Sequence, residues 1–117
     1  MRILVGVLLS LMTCCPALAQ EGNASDEVRK GHHLATLVCA ICHVAAADQP
    51  YEPVLRPPAP SFASIAQRMD LDAAKLQKFI STTHRGLDEP NGMPNPELLD
   101  SQVKEVVAYL LSLRKQE

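Results

Sequence analysis

The amino-acid sequence predicts an all-α domain of three to five helices. Apolar residues recur at three- and four-residue steps in three stretches, around 25–38, 70–82 and 100–113, which is the period of one helix face. Between the first two, Pro50, Pro53, Pro57, Pro58 and Pro60 fall within eleven residues, a density that leaves no room for a regular helix or a central strand. No alternation of strand-like and helical segments is present that would build a parallel sheet. At 117 residues the chain is one domain whose own side chains bury only a modest core. Its aromatic residues are Tyr51, Phe62, Phe79 and Tyr109, with no tryptophan, so a large flat apolar cofactor would supply the bulk these side chains lack.

The chain opens with Arg2, an apolar run from Ile3 to Met12, and then Ala17, Leu18 and Ala19, a small-x-small pattern ahead of Gln20. That is the anatomy of a secretory signal peptide over residues 1–19, and the apolar run is shorter than the roughly 20 residues a bilayer span takes. Removal leaves a domain over 20–117, and loss of Arg2 moves the formal net charge from −2 to −3. Cys14 and Cys15 go with the leader, so only Cys39 and Cys42 remain. The expected location is the periplasm. The alternatives are membrane association through a retained leader, or lipidation of Cys14, for which Thr13 is a poor preceding residue. An acidic balance offers nothing to attract nucleic acid.

Residues Gln20 to Ser25 are expected to fray. The first helix then runs from Ser25 to Leu37 or Val38, with Asp26 and Glu27 in its first turn, where the dipole favours negative charge. Val28, Gly31, Ala35 and Val38 form one stripe, and Gly31 would let another helix approach closely. His32 and His33 point about 100° apart and are read as solvated surface residues. Ser61 to Arg68 can form a short helix with Phe62, Ile65 and Ala66 inward. Asp70 is expected to cap a helix through Thr82 with Leu71, Leu76, Phe79 and Ile80 on its apolar face and Lys75 and Lys78 solvated. Asp100 or Ser101 caps the last helix, to Leu113. Its stripe of Val103, Val106, Val107, Leu110 and Leu113 is strong, and Tyr109 and Leu110 reach toward Gly31.

Cys39, Ala40, Ile41, Cys42 and His43 carry the chemistry. Two thiols three positions apart, followed at once by an imidazole, are spaced to form thioethers with the two vinyl groups of one haem and to ligate its iron from the same side. Competing uses of the pair are a dithiol redox site, half of a zinc site, or two unrelated core cysteines. The zinc use needs a second ligand pair and finds only scattered His32, His33 and His84. The dithiol use expects a βαβ context that is missing. With haem attached, the proline-rich segment becomes a wall at its edge, from which a carbonyl can accept a hydrogen bond from the free ring nitrogen of His43. In the loop from Thr83 to Asn95, Asn91 and Gly92 favour a tight turn and Pro94 holds Met93 extended. No apolar periodicity accounts for Met93, so it is the expected distal iron ligand. Met69, read as core beside a helix start, and His84 are its competitors.

Gly31, the CAICH motif, the Ala59-Pro60-Ser61-Phe62 stretch, Met93-Pro94 and Ala108-Tyr109-Leu110 stand in the order found in class I monohaem c-type cytochromes. The sequence resembles that family over nearly all of the chain after the leader. The resemblance implies the small cytochrome c fold around one covalently bound haem c, with Gly31 packed on the C-terminal helix at Tyr109. It implies Pro60 as the residue whose carbonyl bonds the proximal His43, and Met93 as the distal ligand. Ala35 departs from the aromatic residue the family often has one turn after its glycine, and the tryptophan some members direct at a propionate is absent. Arg56, Arg68 or Arg85 could serve the propionates instead.

An iron held by His43 and Met93 has no open position, so the expected function is periplasmic transfer of one electron rather than catalysis. Its partners would be a dehydrogenase, an oxidase or another cytochrome, met at the haem edge through a transient contact of under about 1,200 Å², with the protein itself a monomer. Arg68, Lys75, Lys78 and Arg85 place basic groups in the half of the chain around the haem. The chain could also be the electron-accepting subunit of a dehydrogenase or oxidase system. The alternatives are a gas sensor or peroxidase-like enzyme with an open or displaceable distal site, and a haem-free dithiol oxidoreductase.

Overall fold

Helix α1 spans Leu18–Leu37 and the last helix, α4, spans Asp100–Ser112; between them lie α2 at Phe62–Ala66 and α3 at Ala73–Ser81. A 3₁₀ turn at Cys39–Ile41 follows α1. The computed structural model describes residues 18–82 and 92–114, and the backbone alone over 18–22. Among the described residues no strand forms, and one isolated parallel bridge joins His43 and Ala59. The all-α expectation holds.

The fold is set by the crossing of α1 on α4. A Cβ at Gly31 would fall on the Glu105 carbonyl and 2.8 Å from the Tyr109 Cβ, so only glycine lets the two backbones meet. From α4, Val103, Val106, Val107, Tyr109 and Leu110 are buried, at the three- and four-residue steps that its sequence shows. Ala35 of α1, Phe62 and Ala66 of α2, and Leu76 and Ile80 of α3 close on them. Arg114 donates to the carbonyls of Ala66 and Leu71, tying the end of α4 to the last residue of α2, whose carbonyl lacks a helical partner, and to the connection before α3.

Several boundaries differ from those the sequence suggested. Helix α1 begins at Leu18, through the stretch expected to fray and across the junction between Ala19 and Gln20. Gln20, Glu21 and Ala24 are good helix formers, and Asp26, now inside the helix, pairs with Lys30 at 2.7 Å and with Arg29 instead of sitting in the first turn. Helix α3 is capped by Asp72, whose carboxylate accepts from the Lys75 amide at 2.8 Å, not by Asp70. Asp70 is taken by Arg68, at 2.9 Å. Neither Asp100 nor Ser101 caps α4; the Gln102 side chain accepts from the Leu99 amide at 2.9 Å. Helix α2 stops at Ala66, with Ser61 as its cap. Phe79 is 50% exposed, because Leu76 and Ile80 define the stripe that α3 turns inward and Phe79 lies off it.

Tyr109 links this frame to the loop beyond the CAICH motif, its hydroxyl donating to the Ala45 carbonyl at 3.0 Å. Burial, aided by the charge of Asp48, raises the phenol above its ordinary value of 10.0. The folded protein therefore keeps this proton at a pH where the unfolded chain loses it, and stability falls as pH rises past about 10. Tyr109→Phe should cost about 1 kcal/mol at neutral pH and shed this alkaline component. Melting curves at pH 7 and pH 10.5 read both effects.

Candidate functional site

The CAICH motif sits where α1 runs out into the 3₁₀ turn. Ala40 is buried and anchors that turn, leaving Cys39 and Cys42 half-buried on either side of it as free thiols. The Cys39 carbonyl accepts from both the Cys42 amide at 3.1 Å and the His43 amide at 2.9 Å, so the chain tightens and delivers His43 directly after the second thiol. The proline-rich segment lies alongside. Val54 donates to the Ile41 carbonyl at 2.8 Å, Ala59 to that of Cys42 at 3.0 Å, and Phe62 to that of Val44 at 3.0 Å.

His43 Nδ1 lies 2.7 Å from the Pro60 carbonyl oxygen. A carbonyl can only accept, so Nδ1 carries a proton, and in the neutral ring Nε2 keeps the lone pair that a metal needs. The edge of the Phe62 ring meets His43 at 5.6 Å between centroids. Further rings follow in series, Phe62 to Tyr109 at 6.3 Å and Tyr109 to the partly exposed His32 at 5.1 Å.

Burial, with the neighbouring Cys42 adding to it, pushes the Cys39 thiol up to about 11. Dithiol oxidoreductases need the opposite, an attacking thiol lowered toward neutrality, so Cys39 is poorly suited to that role. Among the described residues no group of three or more His, Cys, Asp or Glu side chains is placed to hold a metal.

The remaining residues singled out by the sequence fall as follows. Met93 is half-buried in the irregular 92–99 segment that leads into α4, while His84 and Arg85 lie outside the described residues. Met69 is 97% exposed in the turn between α2 and α3, so it is not core. His33 is exposed as expected, but His32 is not a free surface residue. Its Nε2 lies 2.8 Å from the Asp48 carboxylate, holding that carboxyl below its usual range. Arg56 donates to the Pro53 and Leu55 carbonyls of its own loop, and Arg68 is paired with Asp70. Lys75 reaches back to the Asp70 carbonyl at 2.6 Å, and Lys78 is exposed. Sequence reasoning missed Gln49, whose side chain binds the loop after His43; its one local signal is the turn-forming Asp48-Gln49-Pro50 run.

A haem suits these residues. Two thiols and an uncommitted imidazole nitrogen are presented within five residues, and apolar side chains in the motif and its wall stay uncovered, with Ile41 52% and Val54 70% exposed. Exposed apolar groups beside such a donor set are what a covalently held apolar macrocycle would cover.

An all-α domain that offers two thiols and an imidazole on one turn belongs to the class of proteins that hold haem by covalent bonds. The cytochrome c family model matches residues 28–114, and the chain belongs to that family. It is 34% identical over 110 residues to cytochrome c-552 of Bradyrhizobium diazoefficiens, an alignment covering 91% of this chain and 97% of that protein. No solved structure matches. Membership brings a covalently bound haem c and makes the protein a haem-based electron carrier that works with redox partners. Among the described residues, no helix is long and apolar enough to cross a membrane.

Proposed function

We propose that the chain is exported to the periplasm, loses residues 1–19, and carries single electrons on a haem joined to Cys39 and Cys42 and ligated by His43 and Met93. The observation that supports this best is the 2.7 Å contact from His43 Nδ1 to the Pro60 carbonyl, because it orients an otherwise mobile ring with its lone pair free, directly after the two thiols. When bound, haem c supplies an iron that changes valence by one electron.

The chain's own residues determine how readily it does so. The Pro60 hydrogen bond makes the His43 imidazole a stronger donor and favours the higher valence. The soft thioether of Met93 favours the lower one and raises the potential. Pro94 restricts Met93 to an extended backbone, so the sulfur changes position little as the charge on the iron changes. Transient contact with a redox partner then suffices for function.

Optical spectra of the purified protein in both oxidation states test the reading, together with Met93→Ala. The unaltered protein should be low-spin and, when reduced, resist carbon monoxide. Met93→Ala should bind it and lose on the order of 0.1 V of potential. An unchanged spectrum and potential in that variant would place another side chain on the iron. Periplasmic protein beginning at Gln20 is the expected product; a longer, membrane-bound one would mean that the leader is retained or Cys14 lipidated.

A further inference from the structure

The segment after His43 is held by a side chain that lies outside the CAICH motif. Gln49 folds back on its own loop, its Oε1 accepting from the Ala45 amide at 2.7 Å and the Ala46 amide at 3.2 Å, while its Nε2 donates to the Tyr51 carbonyl at 2.7 Å. One carboxamide thus satisfies three backbone groups, using both its oxygen and its nitrogen. Two of those groups belong to residues shut off from water, since Ala45 is 1% and Ala46 7% exposed, and a buried amide without an acceptor is costly.

The placement of these bonds relative to His43 gives them a second role. The peptide joining Cys42 to His43 is held at both ends, its carbonyl by the Ala59 amide at 3.0 Å and its N–H by the Cys39 carbonyl at 2.9 Å. The peptide joining Val44 to Ala45 is also held at both ends, its carbonyl by the Phe62 amide at 3.0 Å and its N–H by Gln49. His43 is therefore bracketed on either side while Pro60 fixes its ring, and of these fastenings only that from Gln49 to Ala45 is made by a side chain reaching the flanking backbone. We infer, resting on the assignment of His43 as the proximal ligand, that Gln49 is a positioning residue: by clamping the Ala45 and Ala46 amides it sets the rotation of the His43 ring over the haem plane.

Gln49→Leu leaves two buried amides without an acceptor and the Tyr51 carbonyl without its donor, so the loop must open toward water and release the Val44–Ala45 peptide. Gln49→Glu keeps both acceptor contacts, but its second oxygen cannot donate and repels the Tyr51 carbonyl, so that end of the clamp opens while the Ala45 and Ala46 amides stay held. The test is proton magnetic resonance of the ferric, haem-loaded protein, in which the spread and order of the haem methyl shifts follow the orientation of the axial ligands. Gln49→Leu should reorder these shifts and speed exchange of the Ala45 amide roughly tenfold, with Gln49→Glu restoring the native pattern. A Gln49→Leu protein with a lower melting temperature but native methyl shifts would have lost only loop stability, and the inference falls. If Gln49→Leu does not fold, Gln49→Asn, whose shorter arm cannot span both amides, is read by the same criterion. A His43→Ala protein that keeps the native spectrum overturns the ligand assignment itself, and native methyl shifts in a protein whose His43 is shown to bind iron overturn the role of Gln49 alone.

Discussion

Replacing Gly31 with valine is expected to lower stability by about 3 kcal/mol, read as a fall in the urea midpoint. The obstacle is backbone, since the new Cβ would fall on the Glu105 carbonyl and close to the Tyr109 Cβ. A flexible side chain can swing aside, but a carbonyl inside α4 is fixed by the helix. The whole of α4 must therefore retreat and loosen Val106, Val107 and Leu110, which this crossing buries. Gly31→Ala should fail in the same direction by less, because alanine's better helix propensity returns up to about 1 kcal/mol. An unchanged midpoint in Gly31→Val would mean that α1 and α4 do not meet at this point in solution.

Legibility in the sequence followed the range of each interaction. The α4 stripe could be read because Val103, Val106, Val107 and Leu110 repeat locally at helical steps, and Gly31 stood out as the one gap in the stripe of α1. The neighbourhood of His43 was legible for a similar reason: adjacent residues carry the donor set, and the proline density marks the segment from which its carbonyl partner comes. Choices between near-equivalent residues were not legible. Asp70 and Asp72 are both good caps, and pairing of Asp70 with Arg68 leaves Asp72 to start the helix. His32 finds Asp48 sixteen residues away, and Gln49 finds its amides only after the loop has turned back on itself, so neither has a periodic signal. Phe79 and Met69 look like core by residue type, but Phe79 lies off the stripe that Leu76 and Ile80 complete on α3, and Met69 falls in the exposed turn before that helix.

Removing both thiols, as Cys39→Ala with Cys42→Ala, should abolish covalent haem, so that the denatured polypeptide washes free of colour. Alanine suits a 3₁₀ turn whose middle residue, Ala40, is already buried, so the substitutions remove sulfur without blocking the local backbone. The larger consequence is for the rest of the molecule. Of the thirteen buried apolar side chains among the described residues five are alanine and two are aromatic, so the protein supplies little apolar bulk of its own. Burial scales with apolar area, and a macrocycle adds more of it than any side chain here, so its loss should blunt cooperative melting as well as colour. Either single variant keeps one possible thioether and should retain part of the pigment through denaturation, a graded series that absorbance of acid-precipitated protein reads directly. Full colour in the double variant would mean that the haem is fastened elsewhere in the chain.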